Sequence, residues 1–132
     1  MEILSILKEA LEKGASDIFV IAGAPLTFKV NGRQQRQGEK LMPGDTLSIV
    51  TGIYELCGRD QSRFQKEDGD DDFSFSVREL GRFRANVFHQ RGTLAAVLRV
   101  IRFGLPDPVK LGIPDSVMAA ASKMKGLVLV TG

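Results

Sequence analysis

Cysteine is nearly absent: Cys57 is the single one in 132 residues, so no internal disulfide can form. No apolar run is long enough to cross a bilayer, and no signal-peptide pattern stands at the start. A reducing cytoplasm is the expected home. An excess of charge of one sign is lacking too, since 18 basic residues against 16 acidic ones leave a formal net charge of only +2. Together with the lack of an aromatic stripe interleaved with basic residues, this argues against a nucleic-acid-binding protein. What remains is ordinary for a folded soluble domain: 43% hydrophobic and 26% charged residues in 14.4 kDa, enough for a core that needs neither disulfides nor metal. Cys57 reads as a small apolar residue on a helix face.

The chain opens with an amphipathic helix over residues 2–13, where Ile3, Leu4, Ile6, Leu7 and Leu11 share a stripe and Gly14 supplies a stop. Short β-rich runs follow at Ser16–Ala22 and Leu26–Val30, and Asn31-Gly32 turns into a short polar strand near Arg33–Arg36. Pro43 can begin a second helix, with Leu47, Val50, Ile53, Tyr54 and Cys57 at helical spacing until Gly58. A short piece from Asp60 to Lys66 is anchored inward by Phe64. Phe73, Phe75 and Val77 alternate with serines and form a half-buried strand.

The stretch Gly81–Ile101 reads as a β-hairpin turning at Arg91-Gly92. Residues equidistant from that turn face each other, which sets Phe83 against Val100, Ala85 against Leu98, Val87 against Ala96 and His89 against Leu94. That face is apolar and expected to be buried. On the other face Arg84 falls opposite Arg99, with Arg82 one pleat away. Like charges in that position repel by a few tenths of a kcal/mol or more, and Arg99 interrupts an apolar run where a charge is costly unless paired. Protein carboxylates could offset this, Asp70, Asp71 and Asp72 being candidates. An external anion such as phosphate is the other candidate, since guanidinium groups suit bidentate phosphate recognition, and an ordinary solvated sheet face is the plain alternative to both.

After Ile101 the segment Arg102-Phe103-Gly104-Leu105-Pro106-Asp107-Pro108 favours extended or turn backbone and reads as a linker. Pro114 opens a short helix through Met124. The run Leu127–Val130 has no alternation, as in a strand buried on both faces of a parallel sheet, and no such sheet is available here; the chain is therefore expected to stop inside a second domain. A strand ending in Thr131-Gly132 is how a phosphate-binding P-loop begins. Any buried strand meeting a turn glycine would look the same.

Several segments taken together resemble the pilus-retraction ATPases of type IV pili, the PilT family: Gly14-Ala15-Ser16-Asp17-Ile18, Gly81 to Phe88 with Gln90-Arg91-Gly92, Ala96-Val97-Leu98-Arg99, Leu111-Gly112-Ile113-Pro114 and Gly126 to Gly132. The resemblance covers almost the whole length in the same order. It implies an α+β, PAS-like N-terminal domain over 1–101, with a largely antiparallel sheet of about five strands and helices on one face. A linker over 102–113 and the start of a RecA-like ATPase domain over 114–132 would follow. By the family motif Arg84 and Arg99 point at the nucleotide phosphates and Gly132 begins the phosphate loop. The implied cofactors of the full-length protein are ATP and Mg²⁺, with none bound to this piece, which lacks the P-loop lysine and should be inactive alone. The implied partners are five further copies in a homo-hexamer, the ATPase domain of the neighbouring subunit, and pilus-platform components at the inner membrane, with no nucleic acid and no membrane insertion. Relatives in pilus extension and type II secretion usually carry further domains ahead of this one, so a first helix beginning at Met1 favours retraction. A self-contained PAS-like sensing or scaffold module is the alternative outside the motor class. Phe19, Lys29 and Arg102 depart from the family pattern, where histidine, arginine and proline are common.

Overall fold

A computed structural model describes residues 2–64, 69–101 and 104–132. Helix α1, Ile3–Glu12, turns Ile3, Ile6, Leu7 and Ala10 inward, with Leu4 and Leu11 only half-buried. Three strands follow, β1 (Asp17–Val20), β2 (Pro25–Val30) and β3 (Arg33–Lys40). Helix α2, Pro43–Cys57, starts with proline in its first turn, and the Asp45 carboxylate accepts the otherwise orphaned N–H of Met42 at 2.7 Å. Its buried side chains are Thr46, Ile49, Val50, Ile53 and Tyr54. Leu47, placed on the inward stripe by the sequence pattern, is 49% exposed; the apolar residues of α2 run most of the way round the helix, and Thr46 and Ile49 take the inward positions.

At Gly58 the backbone adopts φ 61°, the left-handed geometry that only glycine takes without strain, and the Arg59 N–H bonds back to the carbonyl of Tyr54. This sharp stop keeps Arg59 beside Tyr54. A single 3₁₀ turn, Gln61–Arg63, leads to the buried Phe64, as the inward-anchor reading requires; Gln65 and Lys66 lie outside the described residues. Strands β4 (Asp71–Val77), β5 (Gly81–Gln90) and β6 (Thr93–Ile101) complete the domain.

All six strands form one antiparallel sheet in the order β3-β2-β1-β6-β5-β4. The sheet has six strands where about five were expected, and the polar strand read near Arg33–Arg36 extends to Lys40, pairing along its length with β2. The hairpin register is the one read from the sequence: Phe83 faces Val100, Ala85 faces Leu98, Val87 faces Ala96 and His89 faces Leu94. Burial alternates accordingly along β5, and this inner face joins the inward residues of α1 and α2 in one apolar cluster. The opposite face of the sheet carries the arginines.

Beyond Gly104, no described residue is buried. One helical turn, α3 (Asp115–Met118), continues into a 3₁₀ turn, Ala119–Ser122. Leu127–Val130, expected as a buried strand, forms none here and stays 61–92% exposed, having no sheet to enter.

Candidate functional site

Pairing across the sheet generates a single polar row on its open face. Gln34 pairs with Lys29, Lys29 with Asp17, Asp17 with Arg99, Arg99 with Arg84 and Arg84 with Ser74, so one line of side chains crosses all six strands. Directly opposed residues lie about 4.5–5.5 Å apart at Cβ, close enough for the two guanidinium groups to repel. The structure therefore brings together Arg84 and Arg99, as the hairpin register required. Arg82 sits one row further on, opposite Ile101.

Two carboxylates offset the repulsion, and they do so differently. Asp72 accepts two hydrogen bonds from Arg84, from Nε at 2.9 Å and from Nη2 at 2.7 Å. This fork-to-fork pair is solvent-exposed on both sides, and the guanidinium holds the Asp72 carboxyl below the usual carboxylate range. Asp17 accepts one hydrogen bond from Arg99 Nε at 3.1 Å and a second from the Ser16 hydroxyl at 2.9 Å. Asp17 is almost fully buried, whereas the Arg99 side chain is 70% exposed. Between the two arginines lies an open depression of about 180 Å³, lined by Asp17, Arg84, Asn86, Val97 and Arg99. Two guanidinium groups, the Asp17 carboxylate and, one residue pair further along the hairpin, the Asn86 amide line it, a set whose guanidinium donors suit an anion.

The three aspartates named as candidate partners thus have separate fates. Asp72 meets Arg84. Asp71 points to the other side of the sheet, where it accepts the Tyr54 hydroxyl at 2.7 Å and Arg59 Nε and Nη2 at 2.8 and 2.7 Å. Asp70 makes no hydrogen bond or ion pair among the described residues. Arg59, held by Asp71, also lies over the Phe73 ring at 4.5 Å. Its hydrogen bonds keep the Asp71 carboxyl below its ordinary range, while burial, reinforced by Asp71, raises the Tyr54 phenol well above its own. Burial also pushes the Cys57 thiol up to about 11, which leaves it a poor nucleophile near neutrality.

Asp17 was not foreseen as a partner, since nothing local to residue 17 says that β1 will lie beside β6. The inward turn of Asp71 was missed, although a signal was present: it shares the parity of Phe73, Phe75 and Val77, which makes it an inward carboxylate in need of a donor rather than a partner of the arginines. Of the positions that depart from the family pattern, Phe19 lies on the open face opposite Val97 and Lys29 belongs to the polar row beside Asp17. Arg102 lies outside the described residues. Gly132 is exposed and is not among the residues around the depression.

The chain is 35% identical over its whole length to the type IV pilus ATPase PilU of Pseudomonas aeruginosa and 33% identical to the type IV pilus retraction ATPase PilT of the same organism. A crystal structure of the pilus retraction motor PilT with bound ADP superimposes with a TM-score of 0.70 at 42% identity, covering 93% of this chain. The chain corresponds to the N-terminal domain of a PilT-like ATPase. It spans only about a third of these proteins: 34% of PilU, 38% of PilT and 36% of the crystallised PilT chain. Beyond the PilT-like group, the DotB ATPase of Legionella pneumophila (22% identical, TM-score 0.61) shares the fold. No protein-family model matches the sequence. Among the described residues, no helix is long and apolar enough to cross a membrane.

Proposed function

We propose that the chain is the nucleotide-facing N-terminal domain of a motor that hydrolyses ATP to retract type IV pili, with Arg84 and Arg99 contacting the nucleotide phosphates. The observation that carries this reading is the opposition of the two arginines across the depression, on a sheet face that no helix among the described residues covers. A bound phosphate removes their mutual repulsion and so favours docking of this domain onto an ATPase domain. Residues 102–113 act as the hinge between the two. The kinship with PilU and PilT supports retraction within the wider superfamily.

In the same reading, residues 114–132 begin the ATPase domain and Gly132 is the first glycine of its phosphate loop. The exposed Leu105, Val109, Met124 and Leu127 to Val130 fit that assignment, since such side chains ordinarily find cover in a completed fold. The remainder of the loop would supply its lysine and the hydroxyl ligand of Mg²⁺, with ATP as substrate. Assembly as a homo-hexamer in the cytoplasm at the pilus base, with the domain set against the neighbouring subunit, completes the proposal.

Arg84→Ala and Arg99→Ala in the full-length protein are each expected to lower ATP turnover about tenfold or more; Arg84→Ala leaves stability nearly unchanged, since its pair with Asp72 is exposed, whereas Arg99→Ala lowers it by leaving the nearly buried Asp17 without its cation. Turnover equal to the parent in both variants would refute the phosphate-contact role.

A further inference from the structure

The two arginines of the polar row are not equally available to an anion. Arg84 presents its Nε–Nη2 edge, the edge that would grip a phosphate, and both donors are already engaged by the two oxygens of Asp72. Arg99 is held by Asp17 through Nε alone, and its Nη1 and Nη2 atoms have no protein partner among the described residues. The anchors differ as well. Asp17 is nearly buried and fixed from behind by the Ser16 hydroxyl, whose own residue is tied into the sheet through Ser16 N–H to the Lys29 carbonyl and Val100 N–H to the Ser16 carbonyl. Asp72 is exposed, with 44% of its side chain open to water and no hydrogen-bond partner besides Arg84 among the described residues.

We infer that Arg99 is the resident anion receptor, preorganised by Asp17, and that Asp72 is an internal carboxylate stand-in for phosphate that must leave the Arg84 fork before Arg84 can bind. This deepens the phosphate-contact reading above and rests on it. Carboxylate and phosphate present the same pair of acceptor oxygens to a guanidinium, so the exchange swaps one charge-assisted pair for another. It costs little because an exposed ion pair is weak and screened. Asp17 cannot make the same exchange, because its withdrawal would strand a buried carboxylate. Asp72 therefore sets how much phosphate is needed to engage both arginines, and Asp17 acts as a positioning residue for Arg99.

The test is a titration of this chain with inorganic pyrophosphate at constant ionic strength, following the side-chain Nε–Hε resonances of Arg84 and Arg99 by ¹⁵N NMR. In the parent, Arg99 responds at lower pyrophosphate than Arg84. In Asp72→Asn, an exposed change that leaves the core untouched, the Arg84 midpoint falls about threefold or more and moves toward that of Arg99. Coincident midpoints in the parent, unchanged by Asp72→Asn, would overturn the unequal assignment and leave the anion site standing. If neither resonance moves in either protein, the anion site itself fails, and the assignment with it.

Discussion

Asp71→Ala lowers the stability of the chain by about 2–4 kcal/mol, read as a fall in the urea midpoint with an unchanged slope. The carboxylate is 5% exposed and accepts three hydrogen bonds, two from Arg59 and one from Tyr54. Removing it strands the Tyr54 hydroxyl in a fully buried position and leaves the partly exposed Arg59 cation without its counter-ion. The neighbouring packing depends on the same atoms, since the Tyr54 ring meets Phe64 at 4.6 Å and Phe73 at 5.1 Å, edge to face in both cases. Because Arg59 holds the folded-state carboxyl below its ordinary value, the contribution of Asp71 is present in full above the unfolded carboxylate pKa of about 3.9. It fades as pH falls from there through the lower folded value. The stability gap between the parent and Asp71→Asn is therefore constant from neutrality down to about pH 5 and narrows below about pH 4. A gap that widened in acid would mean that the pair does not hold the carboxyl ionised.

Phe83→Ala has the larger effect, about 3–5 kcal/mol. Phe83 is fully buried on β5, stacks on Phe75 at 5.4 Å and faces Val100 across the hairpin. It stands between Arg82 and Arg84 in sequence, so its anchoring to the core determines that both arginines project from the open face. The loss is a large fraction of the total stability of a domain this size, and the variant is expected to unfold at markedly lower denaturant concentration. Retention of parental stability would show that the inner face of β5 is not packed as described.

Much of this was legible in the primary structure, and the rest was not for identifiable reasons. The hairpin register followed from one turn glycine and a strict period of two, which together put Arg84 opposite Arg99 without any tertiary information. The partner of Arg99 is 82 residues away in sequence, and its position depends on β1 docking beside β6, a pairing that local patterning cannot specify. Strand β3 is polar along nearly its whole length, as suits a charged sheet edge, so its continuation to Lys40 carried no hydrophobic signal. In α2, apolar residues at 47, 49, 50, 53 and 54 left the inward face ambiguous, and contact with the sheet decided for Ile49 over Leu47. Leu127 to Val130 were read from pattern alone as a strand, but a strand needs neighbours, and here those side chains stay in solvent.

The most direct measurement is a crystal structure of the full-length protein with bound nucleotide. Guanidinium nitrogens of Arg84 and Arg99 should lie about 3 Å from phosphate oxygens, with Arg99 still held by Asp17 and Arg84 released from Asp72. Nucleotide bound with Arg84 still forked onto Asp72, and neither arginine within reach of a phosphate, would contradict the role assigned to the open face of this sheet.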